Sequence, residues 1–253
     1  MRRFARDTAV IAGRSLKTLR RTPQIVVFAS IQPVMFVLLF RYVFGGSIHV
    51  PGYDGYVNYL LPGIIAQTTL FGGSSLAVVI ANDMTAGITD RFRSLPMSRP
   101  AILAGATLAA IARNAFTITL ITLVGMVVGF RFQTGPLEIL LAFVVALLFG
   151  HAFAWFFALI GILVRNPEGA QLAAFLPIFP LVFAASTFAS PATMPSGLRW
   201  FAEHQPITQI VDSIRALTQG IEPATEPTLL AIGWSLAIML VSAFLATRKL
   251  KSL

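Results

Sequence analysis

Six long apolar runs constrain the fold of this chain more than any other feature of its sequence. Each has about 20 residues or more, the length at which a helix crosses the hydrocarbon layer of a bilayer. They occupy residues 25–44, 56–81, 102–130, 137–164, 170–188 and 228–247. Because lipid offers no partner for free backbone groups, each run is expected to be helical. The sequence predicts an all-α polytopic membrane protein with six transmembrane helices, forming one transmembrane domain over residues 1–253.

Composition excludes the two other broad classes of protein. Hydrophobic residues make up 56% of the chain and charged residues only 11%, whereas a soluble domain carries roughly 25% charged residues. Disorder requires low hydrophobicity and high charge, which is the opposite balance. The chain has no cysteine, so disulfides and thiolate metal sites are excluded. The basic residues are scattered between apolar runs, which argues against a nucleic-acid partner.

The distribution of Lys and Arg predicts the orientation in the membrane. With the N-terminus inside, the inner segments carry fourteen of these residues, and the outer segments carry three, at Arg131, Arg199 and Arg215. Arg41 and Arg113 lie within apolar runs and were not counted. Basic residues collect on the cytoplasmic side, so both termini are predicted to be cytoplasmic in a bacterial cytoplasmic membrane. The first apolar run is long enough to span, so no cleaved signal peptide is expected.

Residues 1–24 precede the first run and contain an amphipathic pattern. At helical spacing, one face carries Phe4, Thr8, Ile11, Ala12, Ser15 and Leu19, and the opposite face carries Arg6, Arg14, Lys17, Arg20 and Arg21. This separation predicts an interfacial helix that lies on the inner leaflet and contacts membrane lipids. The alternative is a basic tail that only sets the topology.

The inner connection over residues 82–100 mixes charge with large apolar side chains. Phe92 and Leu95 share a helical face, and the charged side chains of Asp90, Arg91 and Arg93 surround them. An exposed apolar pair with a charged rim is typical of a docking surface. A lipid-dipping interfacial helix fits the same residues about equally well.

The outer connection over residues 189–227 is long and still apolar. Pro206 suits the first turn of a helix, and Gly220 suits its C-terminal end. Between them Ile207, Ile210 and Ile214 repeat at helical spacing, with Asp212 and Arg215 on the polar side. We predict short outer helices that dip into the leaflet or pack on the bundle, with a small surface cap as the alternative.

Catalytic and nucleotide-binding motifs are missing from the sequence. None of the three lysines follows a glycine, so there is no P-loop, and neither an HExxH nor a GxSxG motif occurs. No cofactor or metal site is therefore predicted, and the chain is not expected to be an enzyme. No carboxylate lies deep in a span, which argues against a proton-driven transporter. An energy source in a partner protein fits better.

Polar residues within the spans are the remaining candidates for function. His151, Gln67 and Asn114 are predicted to line a substrate pathway, with interhelical hydrogen bonds as the alternative. His151 stands among aromatic residues, which suits amphipathic cations. The third run exceeds one crossing, so we expect residues 100–112 to lie partly in the interface, with Arg113 reaching the headgroups.

Several segments of the sequence resemble those of a known family. RDTAVIAGRSLKTLRRTP (6–23), QPVMFVLLFRYVFGGSI (32–48), YLLPGIIAQTTLFG (59–72), DRFRSLPMSR (90–99) and QPITQIVDSIRAL (205–217) occur in family order. Together they resemble permease subunits of type-2 ABC exporters, especially the daunorubicin-resistance branch. The segment at 90–99 is the most specific.

The resemblance implies a six-helix permease that pairs with a second permease copy, either identical or related. Two separate ABC-type ATP-binding subunits would dock on its cytoplasmic face and hold ATP and Mg²⁺. The segments implied to contact them are 6–21 and about 83–95, with Asp83, Asp90, Arg91, Phe92, Arg93 and Leu95 as the docking residues. Many relatives carry a dense charged cluster before the loop motif, where this chain has Asn82, Met84 and Thr85. That departure places more weight on the charges at 90–93.

The resulting functional hypothesis is the membrane subunit of an ATP-driven exporter of amphipathic molecules, such as antibiotics or lipids. The runner-up is a self-contained channel or ion-gradient transporter. A structural scaffold or an unrecognised lipid-modifying enzyme is the third reading.

Overall fold

The computed structural model describes residues 2–21, 23–44, 50–87, 99–221 and 223–252. Within these ranges every regular element is helical. The α-helices are α1 (Arg2–Arg21), α2 (Pro23–Leu39), α3 (Tyr56–Thr85), α4 (Arg99–Val127), α5 (Pro136–Val164), α6 (Pro167–Phe183), α7 (Ser196–His204), α8 (Pro206–Gln219) and α9 (Thr225–Lys251). A π-turn over Phe40–Phe44 extends α2, and a 3₁₀ turn over Pro191–Thr193 precedes α7.

The predicted spans all fall on apolar helices. In the described part of the chain, α3, α4, α5 and α9 are long and apolar enough to cross a membrane. Shorter apolar helices cover Ser30–Val43 and Pro167–Phe183, where the first and fifth spans were predicted. The prediction of an all-α polytopic membrane protein is confirmed.

Helix α3 lies at the centre of the bundle and packs against α2, α4, α5, α6 and α8. Its closest partner is α5, and glycine permits their approach. A Cβ on Gly161 of α5 would lie 2.5 Å from the Ala77 carbonyl oxygen of α3, and one on Gly73 would lie 2.9 Å from the Phe157 ring. Small residues let membrane helices pack closely without a hydrophobic driving force. The α3–α5 pair is therefore the rigid core of the domain.

The predicted outer helices are present as α7 and α8. Pro206 occupies the first turn of α8, and Gly220 ends it with a φ of 65°, a conformation that favours glycine. Along α8 the apolar residues at helical spacing are all buried, because α8 packs on α3, α5 and α9. Of the two predicted positions, packing on the bundle is therefore correct for α8.

The N-terminal amphipathic helix is also present, as α1. Its Thr8 and Ile11 are buried, while Arg6, Arg14 and Lys17 are exposed. The apolar face packs on α4, where a Cβ on Gly105 would lie 2.6 Å from the Ile11 Cβ. The amphipathic separation thus provides a protein contact on one side and a basic surface on the other. The side chain of Arg20 lies outside the described residues.

Candidate functional site

A cavity of about 280 Å³ lies between α2, α3 and α4. One part of its wall is apolar and includes Pro33, Phe36, Phe71 and Val79. The polar part comes from Gln32, Gln67, Thr68, Gly72, Ser75, Arg113, Asn114 and Thr117. Ligand sites are typically concave, largely apolar and furnished with a few polar groups. The cavity therefore has the composition expected of a site for an amphipathic molecule.

Two of the predicted pathway residues, Gln67 and Asn114, meet at this cavity. Gln67 is 4% exposed and Asn114 is 3% exposed. Gln67 Oε1 and Asn114 Nδ2 have no hydrogen-bond partner among the described residues. The Asn114 amide is wedged between helices, since a Cβ on Gly72 would lie 2.5 Å from its Oδ1 and one on Gly150 would lie 2.6 Å from its Nδ2. Buried polar groups normally find partners, so these atoms are unusual.

Arg113 is the charged residue among those that line the cavity, and its predicted reach to the headgroups stays a prediction. It stands at the midpoint of α4, and one guanidinium nitrogen, Nη2, donates to the carbonyl of Gly72 on α3. Its Nε is buried and has no partner in the described part of the chain. The sequence shows the position of Arg113 along α4 but not that the backbone carbonyl of Gly72 faces it.

The hydroxyl groups around the cavity are bonded to their own helices. Thr68 donates to the Ile64 carbonyl at 2.6 Å, Ser75 to the Gly72 carbonyl at 2.9 Å, and Thr117 to the Arg113 carbonyl at 3.0 Å. The proton of each of these hydroxyl groups is thus already donated in a hydrogen bond within its own helix. The lining residues include no Asp or Glu, so Arg113 is the one formal charge in the described wall.

The third predicted pathway residue, His151, is not among the residues that line this cavity. It lies on α5, where its Nε2 accepts a hydrogen bond from Trp155 Nε1 at 3.3 Å. The His151 and Trp155 rings meet edge-on, with their centroids 6.5 Å apart. The structure therefore brings Gln67 and Asn114 together and places His151 elsewhere.

A buried network around Arg215 was not foreseen from the sequence. Arg215 Nη1 pairs with Asp212 Oδ1 at 2.7 Å, Nη2 donates to the Ser186 carbonyl at 2.9 Å, and both Nε and Nη2 reach the Tyr59 carbonyl. The guanidinium carbon stands 3.9 Å from the centre of the Tyr59 ring, a cation–π distance. The sequence did contain an indication of this network, because Asp212 and Arg215 are spaced as an i, i+3 ion pair on an otherwise apolar helix.

Asp83 is the predicted docking residue that lies in the described part of the chain. Asp83 is near the C-terminal end of α3, and it interacts electrostatically with Arg14 of α1. Arg6, Arg14 and Lys17 are exposed on α1, which packs on α4. Asp90, Arg91, Phe92, Arg93 and Leu95 lie outside the described residues, so their predicted role stays a prediction.

Comparison with known proteins decides the family. The model of the "ABC-2 type transporter" family matches residues 6–218. The chain belongs to the ABC-2 type transporter family. It is 30% identical over 227 residues to the daunorubicin resistance ABC transporter permease protein DrrB1 of Streptomyces coeruleorubidus, covering 86% of this chain and 78% of that protein.

Two further relatives extend the comparison. The probable doxorubicin resistance ABC transporter permease protein DrrC of Mycobacterium tuberculosis is 25% identical over 246 residues, covering 96% of this chain and 87% of its own. The putative transport permease ycf38 of Cyanophora paradoxa is 25% identical over 218 residues, with 85% and 74% covered. The chain is thus a multi-pass membrane permease subunit of the ABC-2 type, as the sequence resemblance implied. The match includes α1, the cavity and the Arg215 network.

Proposed function

We propose that this ABC-2 permease is the membrane subunit of an exporter that moves amphipathic molecules, including antibiotics, out across the bacterial cytoplasmic membrane. The observation that carries the proposal is the cavity between α2, α3 and α4, which joins an apolar wall to a polar one inside a family-matched bundle. Two of the relatives are named for resistance to daunorubicin and doxorubicin. A cavity with one apolar and one polar wall suits amphipathic molecules as a class.

The energy for export comes from a separate ATP-binding subunit, which holds ATP and Mg²⁺. The support is the lack of a P-loop or other fuel-consuming motif in the sequence. The basic face of α1 and the inner segment over residues 82–100 contact that subunit. Both termini are cytoplasmic, and a second permease copy completes the pathway.

Helix α4 links the inner surface to the cavity. Its N-terminal half carries Gly105, which contacts Ile11 of α1, and Arg113 follows about two turns later on the same helix. A helix transmits a rigid-body displacement along its length. When the ATP-binding subunit moves α1, the polar wall of the cavity moves with α4, and the affinity for substrate changes.

Reconstitution tests the proposal. The permease is placed in proteoliposomes with and without its ATP-binding partner, and efflux of a fluorescent amphiphile is followed after ATP addition. We expect transport only when both subunits and ATP are present. Equal transport by the permease alone, driven by an ion gradient, would support the runner-up function and contradict the proposal.

The docking surface has its own test. The Phe92→Asp and Leu95→Asp changes are introduced together, and co-purification of the ATP-binding subunit is measured alongside export. We expect both to be lost, because two charges would replace the apolar contact. If association and export both survive, these residues do not form the docking surface.

A further inference from the structure

We infer that the cavity between α2, α3 and α4 selects amphiphiles with an anionic head, and that Arg113 is the residue that binds this head. The inference rests on the proposed export function and names the substrate class for it. The head chemistry is a carboxylate, sulfonate or phosphate on an apolar body. An acidic lipid and a free acidic metabolite both supply it.

The charge balance of the cavity is the first argument. Arginine remains protonated in proteins, even in an apolar environment. The described lining contains no carboxylate to neutralise Arg113, and α4 carries no Asp or Glu at all. An uncompensated charge in the interior of a membrane protein is costly and normally has a functional partner. An anionic ligand supplies the missing charge.

The unused hydrogen-bonding capacity of Arg113 is the second argument. A guanidinium has five N–H donors, whereas the hydrogen bonds of the described residues account only for Nη2, which donates to the Gly72 carbonyl. That same carbonyl also accepts from the Ser75 hydroxyl, so it is not a dedicated partner for the charge. The buried Nε has no acceptor among the described side chains. Carboxylate and phosphate oxygens match such a group geometrically.

The remaining wall explains why an amphiphile, rather than a small inorganic anion, fits the site. Pro33, Phe36, Phe71 and Val79 supply an apolar surface next to the charge. The neighbouring hydroxyls are committed to backbone carbonyls, so they do not solvate a hydrated ion. An acyl chain or a ring system packs on this surface while the head meets Arg113. A cationic head of the same size meets a like charge instead.

Binding to the intact complex tests the inference. The permease with its ATP-binding subunit is placed in phosphatidylcholine nanodiscs without ATP. Three fluorescent probes share one alkyl chain and end in a sulfonate, a hydroxyl or a trimethylammonium group. We expect the sulfonate probe to bind at least about tenfold more tightly than the cationic probe, the factor that corresponds to one charged hydrogen bond.

Three variants separate a charge effect from a folding effect. Arg113→Gln is expected to abolish the preference for the sulfonate probe, whereas Arg113→Lys retains the charge and most of the preference. Arg131→Gln removes the same charge from an exposed position bonded to the Met126 and Phe130 carbonyls, and it should leave the preference unchanged. An equal preference in the wild type and in Arg113→Gln, or a wild type that favours the cation, overturns the inference.

Two further readouts resolve the source of the head group and the link to export. Displacement of the sulfonate probe by added phosphatidylglycerol identifies an acidic lipid as the occupant. Persistent binding of the probe identifies a free acidic amphiphile, and either result supports the role of Arg113. ATP-dependent efflux of the hydroxyl probe reports on the export function alone. Its absence contradicts the proposed function, while the binding ratio still decides the substrate class.

Discussion

Arg215, which is buried, and Arg113, which is only partly buried at the cavity, differ in almost every contact of their side chains. Arg215 pairs with the Asp212 carboxylate, donates to the Tyr59 and Ser186 carbonyls and lies over the Tyr59 ring. Arg113 donates to one backbone carbonyl and leaves its Nε without a partner among the described residues. A buried charge with a full set of partners fixes structure. A partly buried charge that lines a cavity and lacks such partners is available for a ligand.

The surroundings of the two residues support this division. Arg215 links α8 to α3 through the Tyr59 carbonyl and to the segment after α6 through the Ser186 carbonyl. Ser186 Oγ strengthens the second link by donating to Asp212 Oδ1 at 2.8 Å. This network therefore holds α8 against α3 at the centre of the bundle. Arg113 lines a cavity, and the helix that carries it also contacts α1. Substitutions in the Arg215 network should therefore change stability, and substitutions at the Arg113 cavity should change transport.

The largest expected effect on stability is that of Arg215→Met. The change leaves the Asp212 carboxylate without its cation and removes donors from two buried carbonyls. Breaking a buried ion pair in this way costs about 3 kcal/mol, the lower end of the usual range, because Asp212 is partly exposed. Thermal unfolding of the purified permease in detergent measures the loss.

Arg199→Met is the matched control for that prediction. Arg199 pairs with Glu203 at 2.7 Å, but the two side chains are 49% and 41% exposed. An exposed pair contributes less than about 1 kcal/mol. If both variants lose the same stability, the Arg215 network has no special structural role.

A second prediction concerns the contact between α1 and α4. A Cβ on Gly105 would collide with Ile11 and approach the Thr8 carbonyl oxygen to 3.0 Å, so Gly105→Leu should separate the helices. Overpacking of this kind costs about 1–3 kcal/mol. We expect ATP-dependent efflux to fall more than the unfolding temperature does.

Gly233→Leu provides the comparison for Gly105→Leu. Gly233 is on α9, and a Cβ there meets nothing within 4 Å. The same enlargement should leave both efflux and unfolding close to wild type. Normal efflux by Gly105→Leu in a folded complex would show that α1 does not drive α4.

Arg113→Met should change stability by less than about 1 kcal/mol, because it replaces a partly buried charge that has no carboxylate partner among the described lining residues with an apolar group of similar length. The Gly72 carbonyl keeps its hydrogen bond from Ser75. Unfolding is measured beside that of Arg215→Met. A loss as large as that of Arg215→Met would mean that Arg113 is structural after all.

The smallest expected effect is that of Asp83→Asn. Asp83 is half-buried and interacts with the exposed Arg14, so the stability change should be within about 1 kcal/mol. Association with the ATP-binding subunit should weaken, and the weakening should shrink at high salt as screening increases. Unchanged association at low salt would remove Asp83 from the docking surface.

The sequence predicted the membrane helices well because length and hydropathy alone determine them. Pro206 and Gly220 likewise mark the ends of α8, since their effects on the backbone are local. The hydrogen-bond partners of Arg113 and Arg215 were not predicted, because the partner of a charge depends on which helix faces it. Periodicity put Arg215 on a polar face, whereas Tyr59 and Ser186 cover that face in the folded chain.

The residues of the candidate site likewise could not be grouped from the sequence, because they come from different helices. Gln67, Asn114 and His151 were equivalent in the sequence as polar residues within apolar runs. Only the packing of α3 against α4 brings Gln67 and Asn114 to one cavity, whereas His151 is not in that cavity wall and accepts a hydrogen bond from Trp155 one turn along its own helix. Whether a segment forms a membrane helix is determined by its own sequence, whereas the grouping of polar residues from different helices is determined by how those helices pack.

Chemical blocking of the cavity tests most directly whether exported molecules pass through it. The experiment is specific because the chain has no natural cysteine. Ser75→Cys places a thiol in the cavity wall, and Ser74→Cys places one at the neighbouring position outside that wall. Both complexes are treated with a bulky maleimide, and ATP-dependent efflux is measured after labelling is confirmed by mass. The account predicts that labelling stops efflux in Ser75→Cys but not in Ser74→Cys. Full efflux by a completely labelled Ser75→Cys complex would contradict it.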